Sequence, residues 1–338
     1  MSDILEVSYT GDLLAHRRCP RAWSFEKYAG FHPYEQVQAM EGRLVHHALE
    51  WLTAKYKENG GTHATVAELR EQLTLRFRVL WARGIRTTFE SKQDTLDRVV
   101  GNLFPDGTMH LTVQAAIEGA QHTEYELRAV RKLVEADFFG KTKMLLTGIL
   151  DLVIQQQDEF TYDRTWQWLD RSKLQGESAV SPTIAKRGDF EIWDYKATHA
   201  DTSHVESYVL QLLTYAALYQ ERTGEIPVRC VLFFVNEPKR SDQLLAIPID
   251  EEILGLAEEW TINQVQALRN TMITFERDPM SVEGGDLSKR DQEEGKRVDN
   301  ELKKQCTACG HRFDCAEYRA HLANPDHADL SLDNVKKN

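Results

Sequence analysis

Apolar residues recur at helical spacing through the first third of the chain. One apolar face consists of Leu44, Val45, Ala48, Leu49 and Leu52. Intervals of three and four residues place such side chains on one side of a helix. The pattern predicts a helix over 41–56 and mostly helical structure over 67–81 and 96–118, and we expect residues 57–120 to form a helical insertion ahead of a sheet.

The pattern then changes to the alternation of a half-buried strand. Tyr125, Leu127 and Ala129 alternate with charged residues, as in a strand that packs one face on a core. Further strands are predicted over 144–154, 190–197, 228–235 and 244–249, and helices over 204–222 and 251–275. The run 228–235 is almost continuously apolar, which is typical of a strand buried on both faces.

Two polar stretches interrupt these elements. The stretch between Gln155 and Asp189 carries Gly176, Pro182 and Gly188, which predicts a long loop or insertion. Residues 279–300 are rich in Gly, Ser and charge, which is typical of an exposed linker. The order of helix, three strands, helix and strand indicates the α/β fold class.

Length and composition indicate a globular protein. The chain has 338 residues, of which 41% are hydrophobic, enough for one large domain or two modest ones. No run approaches the roughly 20 apolar residues of a membrane span. The first residues lack the pattern of a signal peptide, so we expect a cytoplasmic protein without membrane attachment.

The formal net charge of −12 disfavours tight, indiscriminate binding to long duplex DNA. It does not exclude DNA, because binding depends on the local field. Local basic clusters are formed by Arg17, Arg18, Arg21 and Lys27, by Lys141 and Lys143, and by Lys186 and Arg187. Each cluster is equally compatible with a solvated surface.

The tripeptide Asp194-Tyr195-Lys196 ends an apolar run and carries the most informative chemistry. Because side chains in a strand alternate, Asp194 and Lys196 project together while Tyr195 points away. Asp151 joins them if the two strands pair, which gives two acids for a divalent cation and a lysine beside an attacked phosphate. The alternative is an ordinary ion pair at a solvated strand end.

The cysteines suggest a metal centre rather than disulfides. Five cysteines in a chain with no secretory signal favour metal ligation or burial. Cys306, Cys309 and Cys315 supply three thiolates, one fewer than the usual four. Cys230 lies in the most apolar strand and reads as a buried thiol, so Cys19, in a polar and basic setting, is the better fourth ligand. Spacing alone does not separate zinc from a 4Fe-4S cluster.

An ordered set of motifs resembles a known family. The motifs are Cys19-Pro20, Gly42-x-x-x-His46, Gly148-Ile149-Leu150-Asp151, Asp194-Tyr195-Lys196, Gln211-x-x-x-Tyr215, and Cys306, Cys309 and Cys315. Together they resemble the RecB-like branch of the PD-(D/E)XK nucleases, in particular its iron-sulfur members, the CRISPR-associated exonucleases and the AddB nuclease domain. The resemblance covers nearly the whole chain and implies a restriction-endonuclease-like core in the order predicted above.

The resemblance also implies how the chain is organised. It implies a single nuclease domain over residues 1–338, with a large helical insertion in its N-terminal part. The C-terminal segment 301–320 would close onto Cys19 by binding a 4Fe-4S cluster, with zinc as the less favoured occupant.

The resemblance implies roles for the motif residues. His46, Asp151 and Asp194 would ligate one or two Mg²⁺ or Mn²⁺ ions, with the Tyr195 carbonyl as a further ligand, and Lys196 would serve the attacking water and the phosphate. Only the family spacing from Gly42 selects His46, because periodicity does not separate it from its neighbour His47.

The resemblance gives roles to further residues near the predicted site. Gln211 and Tyr215 share a helical face and would point to DNA, the alternative being a Tyr215 packed in the core and a solvated Gln211. The family often places an acid on the first strand, and either Glu124 or Glu126 fits that position. The motif Asp194-Tyr195-Lys196 has Asp194 at a position where the family frequently has Glu, and the family permits this change.

The activity implied by the resemblance is that of a metal-dependent DNA exonuclease. Such an enzyme would prefer single-stranded ends and run 5′ to 3′, in recombination, repair or CRISPR and phage DNA processing, with a helicase, recombinase or integrase as partner. It would be a bacterial, archaeal or phage-encoded protein. Two alternatives remain open: a nuclease-inactive DNA-binding scaffold and a structure-specific endonuclease.

Overall fold

The structure is a computed structural model that describes residues 4–28, 38–83, 92–132, 143–200, 205–278 and 281–282. Two compact units are present. The first contains the described residues up to Tyr9 and from 38 to 263, and the second contains residues 10–28 together with those from 264 onward.

Helices and strands follow the predicted order through most of the chain. The helices are α1 (Ala15–Arg18), α2 (Pro20–Tyr28), α3 (Gln38–Glu58), α4 (Val66–Ala82), α5 (Lys92–Leu103), α6 (Leu111–Gly119), α7 (Val205–Thr223), α8 (Arg240–Gln243) and α9 (Glu251–Arg277). The strands are β1 (Ile4–Ser8), β2 (Ala120–Lys132), β3 (Lys143–Gln155), β4 (Phe160–Asp170), β5 (Gln175–Ala185), β6 (Phe190–Lys196), β7 (Arg229–Phe234) and β8 (Leu244–Pro248). The predicted α/β fold class is confirmed.

The eight strands form one mixed sheet in the order β1-β3-β6-β7-β8-β4-β5, with β2 paired to β3. β6 and β7 are parallel, and α7 makes the crossover between them. β7 is buried along its whole length, as its continuous apolar sequence predicted. The sheet therefore places the end of β6, with its charged residues, beside a fully buried strand.

One edge of β3 is shared by two strands. β1 pairs with the first part of β3, from Ile4 opposite Lys143 to Ser8 opposite Thr147. β6 pairs with the last part, from Trp193 opposite Leu152 onward. β2 occupies the other edge. Residues 148–151 therefore lie at a split, where β1 has ended and β6 has turned away from β3.

Of the loop or insertion predicted between Gln155 and Asp189, the loop is wrong. β4 and β5 form an antiparallel hairpin there, which joins the sheet through β8. Pro182 is tolerated because β5 is an edge strand and because the register shifts beside it. Gly176 is required by close packing, since a Cβ atom there would lie 2.5 Å from Nε1 of Trp166. Turn residues thus mark a bulge and a close approach rather than a loop.

Helices α3 to α6 cover one face of the sheet. Their apolar sides pack on residues of the central strands, among them Trp193, Tyr195 and Phe233. The helix α4 begins with a capping box in which Thr65 and Glu68 each bond the other's backbone N–H. These helices lie within the range 57–120 predicted as an insertion, apart from α3, which precedes it and which bears His46.

The second unit is held together by polar contacts around α2. Asp12 accepts a hydrogen bond from Nε1 of Trp23 at 3.2 Å and pairs with Lys27 at 2.8 Å. The buried ring of His16 bonds the Thr271 hydroxyl through Nε2 at 2.8 Å. These contacts order the segment that carries Cys19.

Several predictions on domain organisation stay predictions. The single domain over residues 1–338 is one of them, as is the insertion 57–120. The linker 279–300 lies almost entirely, and the cluster segment 301–320 wholly, outside the described residues. Among the described helices, none has the length and apolar character needed to cross a membrane.

Candidate active site

Asp151 bridges the split between β3 and β6. Its Oδ2 atom accepts a hydrogen bond from the backbone N–H of Tyr195 at 2.7 Å. Backbone pairing between β3 and β6 ends at Leu152 and Trp193. The Asp151 carboxylate then supplies the next hydrogen bond between the two strands. The second oxygen, Oδ1, lies 3.2 Å from Nδ1 of His46. A nearly buried carboxylate thus joins two strands and one helix.

His46 is the histidine of α3 that faces this carboxylate. Its ring also meets the ring of Tyr195 edge-on, with centroids 5.9 Å apart. His47 points elsewhere, with Nδ1 4.0 Å from Glu50. Periodicity does not separate the two histidines; the packing of α3 on the sheet does.

Glu124 is the acid of β2 that reaches the site. Its Oε1 atom lies 4.0 Å from Nδ1 of His46, whereas Glu126 pairs with Arg128 at 2.6 Å and is exposed. Glu124 has a φ of 47°, a left-handed conformation that interrupts strand alternation. Alternation alone puts both acids on one face, so only this local bend distinguishes them.

Three side chains from three elements therefore converge. Each of His46, Glu124 and Asp151 offers one ligand atom, and these atoms all lie within 4.8 Å of one another. Asp194, which was predicted as a ligand together with His46 and Asp151, is not in this group. It lies on the adjoining strand and pairs with Lys196 instead.

Lys196 is held by three different kinds of contact. It forms an ion pair with Oδ2 of Asp194 and donates a hydrogen bond to Oε1 of Gln211 at 3.1 Å. Its ammonium group also lies 4.5 Å from the centre of the Tyr208 ring, within cation–π range. Tyr208 gave no signal in the sequence, because nothing in its spacing separates it from other aromatic residues of the helix.

Gln211 and Tyr215 extend this arrangement along α7. Gln211 is buried, and its Nε2 donates to the Tyr215 hydroxyl at 3.2 Å and lies 3.5 Å from Oδ1 of Asp194. Tyr215 also packs on Gly148 of β3. The amide of Gln211 therefore fixes both Asp194 and Lys196. Gln211 is buried rather than solvated, whereas Tyr215 is packed in the core as the alternative expected.

The pKa values of these groups show strong mutual influence. Burial opposes the charge of His46, but the Asp151 carboxylate outweighs it and raises the His46 pKa to about 9. Burial, with Asp151 nearby, raises the pKa of Glu124 to about 7. Burial also raises the pKa of Asp194 to about 6, although Lys196 opposes the rise. Repulsion between carboxylates that lie this close together contributes to the raised pKa values of Glu124 and Asp194, and a bound cation would relieve that repulsion.

The donor set fits a divalent cation. Carboxylate oxygens suit hard cations such as Mg²⁺ and Mn²⁺, and an imidazole favours Mn²⁺ somewhat. Burial would raise the pKa of Asp151, yet His46 and Lys196 keep it below its ordinary value, so this acid is ionised and ready to ligate. Lys196 likewise stays charged, because Asp194 and Asp151 raise its pKa in spite of burial.

This geometry agrees with a match to a known family. The sequence profile described as the PD-(D/E)XK nuclease superfamily matches residues 11–170 and 183–316, which together make up most of the chain. The chain belongs to the PD-(D/E)XK nuclease superfamily. A comparison with curated proteins gave no significant match. PD-(D/E)XK proteins are nucleases that use divalent metals, so membership accounts for the convergence of acids beside a lysine.

Within the PD-(D/E)XK superfamily, assignment of this protein to the RecB-like branch stays a prediction. The same holds for its cysteines as cluster ligands. Cys19 has a free, partly exposed thiol, and Cys306, Cys309 and Cys315 lie outside the described residues. Cys230 is confirmed as a buried thiol: it is 0% exposed, and burial raises its pKa well above the ordinary value.

Proposed function

We propose that the protein is a metal-dependent DNA exonuclease that acts on single-stranded ends. The observation that carries this proposal is the convergence of His46, Glu124 and Asp151 beside the held ammonium of Lys196. The alternatives of an inactive scaffold and an endonuclease are outcomes of the experiments below.

The metal ligands in this proposal are His46, Asp151 and Asp194 with the Tyr195 carbonyl, and Glu124 is added to them. Glu124 is included because its carboxylate lies close to the imidazole of His46 and the carboxylate of Asp151. Asp194 is retained because its charge already acts on both His46 and Glu124. A bound divalent cation supplies a Lewis acid for the phosphoryl oxygen and lowers the pKa of a bound water.

Lys196 has the catalytic role that requires no metal. Its ammonium stays charged and is aimed by Asp194, Gln211 and Tyr208. A fixed cation stabilises the negative charge that develops on an attacked phosphate, and an N–H donor orients the attacking water. Gln211 acts through Lys196 and Asp194 and is therefore a positioning residue.

Hydrolysis of end-labelled linear single-stranded DNA with Mn²⁺ tests the enzyme assignment. Lys196→Ala should reduce the rate by about 100-fold or more, since loss of one donor to developing charge costs about that factor. Lys173→Ala is the matched control, because Lys173 is exposed and forms a surface ion pair with Asp170 at the end of β4. Absence of cleavage by metal-loaded wild type would reject the assignment as an enzyme and favour the alternative of a nuclease-inactive DNA-binding scaffold.

Circular single-stranded DNA separates the two nuclease modes. An exonuclease needs an end and leaves the circle intact, whereas an endonuclease opens it. Linear strands blocked at one end or the other then give the direction of degradation, which we expect to be 5′ to 3′. Cleavage of circles at the rate of linear strands would replace the exonuclease by a structure-specific endonuclease.

We also propose that Cys19, Cys306, Cys309 and Cys315 hold a 4Fe-4S cluster. Support comes from the thiol of Cys19, which is partly exposed and is not bonded to Cys230, the other cysteine in the described residues, and from the spacing of the other three. An anaerobic preparation should absorb broadly across the visible and contain iron and sulfide, whereas zinc gives no colour. Cys19→Ser should lose the absorbance and Cys230→Ser should keep it. A colourless, zinc-loaded preparation would reject the cluster.

The biological setting we propose is the processing of DNA ends in the cytoplasm, for recombination, repair or CRISPR and phage functions. A helicase, recombinase or integrase would supply the single-stranded end. Pull-down with linear single-stranded DNA present and absent would test whether such a partner joins the nuclease on its substrate.

A further inference from the structure

A second cleft lies at the far end of the strands that carry the active site. It opens where β3 ends and β6 begins, and its volume is about 540 Å³. Its lining includes the rings of His122, Phe190 and Tyr219 and the side chains of Gln121, Gln155 and Glu225. We call it the aromatic cleft. Neither the predicted site residues nor the superfamily motifs include any of these six residues.

A row of rings runs along the aromatic cleft. His122 lies 4.9 Å from Tyr125 with a tilt of 32°, Tyr125 lies 6.1 Å from Tyr219, and Tyr219 lies 5.0 Å from Phe190 with a tilt of 30°. Within this row, Tyr219 is buried, Phe190 is half-buried and His122 is exposed. Partly exposed ring faces on a rigid base are the surfaces on which flat aromatic ligands stack.

Basic groups surround these rings. The guanidinium of Arg222 lies 5.8 Å from the centre of the Tyr125 ring, and its Nε donates to the Tyr125 hydroxyl at 3.1 Å. Lys186 and Arg187 are exposed in the turn that leads to Gly188, which lines the cleft. In the described part of the chain, neither side chain has an acidic partner. Unpaired cations beside aromatic faces favour a polyanion that carries flat rings.

The lining also discriminates between the two parts of a nucleotide. Glu225 is the only acid among the lining residues, and it repels a phosphate placed deep in the cleft. Gln121, Gln155 and Glu225 can instead bond the amino and carbonyl groups at the edge of a base. The cations stand outside the lining, where phosphates of a strand would pass.

We propose that the aromatic cleft binds an unpaired base of single-stranded DNA, with the flanking phosphates on Arg222, Lys186 and Arg187. Duplex DNA is excluded, because its bases are stacked and paired and cannot enter. This inference rests on the proposed action on single strands and names a second contact for the same substrate.

The position of the cleft suits that role. Gln155 lies four residues beyond Asp151 on β3, and Phe190 lies four residues before Asp194 on β6. At about 3.3 Å per residue, the cleft is about 13 Å from the catalytic residues along the strands. Phe190, Asp194 and Lys196 also project from the same face of β6, because their numbers differ by even values. A single strand held at the cleft would be kept close to the catalytic residues.

Equilibrium binding of a fluorescent 12-nucleotide single strand in EDTA tests this proposal without cleavage. Phe190→Leu keeps the apolar volume and removes the ring, and Arg222→Gln removes an exposed charge. Stacking of one base is worth about 1–3 kcal/mol, so Phe190→Leu should weaken the Kd by a factor between about 5 and 100. Phe160→Leu is the matched control, because the half-buried Phe160 also lies under a guanidinium, that of Arg240 at 5.3 Å.

A strand of the same length with abasic sites separates base stacking from charge. Wild type should bind it more weakly than the base-bearing strand, and Phe190→Leu should bind the two nearly alike. Equal binding of both strands by wild type would contradict the proposal that the aromatic cleft binds a base. An unchanged Kd in both Phe190→Leu and Arg222→Gln would contradict it as well. Binding measured in EDTA does not depend on hydrolysis, so a wild type that stacks bases yet cuts no DNA would reject the nuclease and keep the cleft.

Discussion

The ring of Tyr215 lies directly against Gly148: a Cβ atom at Gly148 would fall 2.6 Å from Cε1 of that ring. The Tyr215 hydroxyl accepts a hydrogen bond from Gln211, which in turn accepts one from Lys196. A glycine on β3 therefore sets the position of a lysine on β6 through two side chains of α7. This explains in packing terms why the motif Gly148-Ile149-Leu150-Asp151 begins with glycine.

Gly148→Ala should lower the rate of DNA hydrolysis by about tenfold or more. The added methyl group displaces the Tyr215 ring, and a shift in Gln211 then misplaces the Lys196 ammonium, on which the rate depends steeply. The measurement is the steady-state rate on labelled single-stranded DNA with Mn²⁺.

Gly101→Ala is the control for this change. Gly101 lies in α5, and nothing lies within 4 Å of an added Cβ atom there. Alanine in a helix is favoured over glycine by up to about 1 kcal/mol, so this variant should be as active as wild type and slightly more stable. Equal activity of Gly148→Ala and Gly101→Ala would show that the contact with Tyr215 does not matter.

Glu124→Gln should weaken Mn²⁺ binding by about tenfold or more. The change removes one of the carboxylates that converge with His46 and Asp151, and a neutral amide oxygen is a poorer partner for a hard cation. Free Mn²⁺ measured by its electron paramagnetic resonance signal gives the Kd. Glu126→Gln, two residues away and paired with Arg128 on the surface, should bind Mn²⁺ like wild type. Equal losses in the two variants would contradict the choice of Glu124.

Glu191→Gln should destabilise the fold by roughly 3–5 kcal/mol. Glu191 is 0% exposed, and it pairs with Arg229 at 2.6 Å and accepts from Tyr162, Gln156 and Trp193. Losing the charge leaves a buried guanidinium with Asp189 as its remaining acidic partner. Urea unfolding monitored by circular dichroism gives the free energy.

An exposed acid provides the comparison for Glu191. Asp97 pairs with Arg70 at the surface, and such solvent-exposed pairs contribute little to stability. Asp97→Asn should therefore unfold close to the wild-type urea concentration. If Glu191→Gln also did so, the buried cluster would have no role in joining the β4–β5 hairpin to β6 and β7.

His16 should make the protein less stable as the pH falls below about 6.5. Burial lowers the pKa of His16 to about 4 in the folded state, from about 6.5. Between pH 6.5 and pH 4, therefore, His16 is protonated in the unfolded chain and neutral in the folded chain. Stability is therefore lost on acidification through this window and changes no further, for this group, below pH 4. At 1.36 kcal/mol per unit, the loss is up to about 3 kcal/mol.

The variant His16→Gln isolates this contribution. It should be less pH-sensitive than wild type between pH 6.5 and 4, and the difference in unfolding free energy between the two proteins should shrink or reverse on acidification. A difference that stayed constant over this window would contradict the buried, neutral state of His16.

The sequence predicted the central elements because their patterns are strong and local. β7 is apolar at almost every position, and α3 repeats its apolar residues over several turns, so burial and periodicity identified both. The sequence did not predict the hairpin of β4 and β5, because Gly176 and Pro182 are typical of loops. Their place in strands becomes clear only when their partners across the strands are known.

The finer choices within the site depend on features that the sequence pattern does not show. His46 differs from His47 through the way α3 packs on Asp151, a contact between residues far apart in the chain. Glu124 differs from Glu126 through its own left-handed backbone conformation, which is local but is not marked by the residue types around it. Tyr208 shows the same limit, because its role comes from lying across from Lys196.

Asp151 divides its two oxygen atoms between architecture and chemistry. Oδ2 is committed to the backbone N–H of Tyr195, which keeps the end of β6 beside β3, and only Oδ1 faces His46. While the strands keep this arrangement, Oδ1 is the Asp151 oxygen that would be offered most freely to a divalent cation. His46, Glu124 and Asp194 would supply further ligand atoms, and a small set of protein ligands suits Mg²⁺ or Mn²⁺ better than Ca²⁺ with its six to eight oxygen ligands.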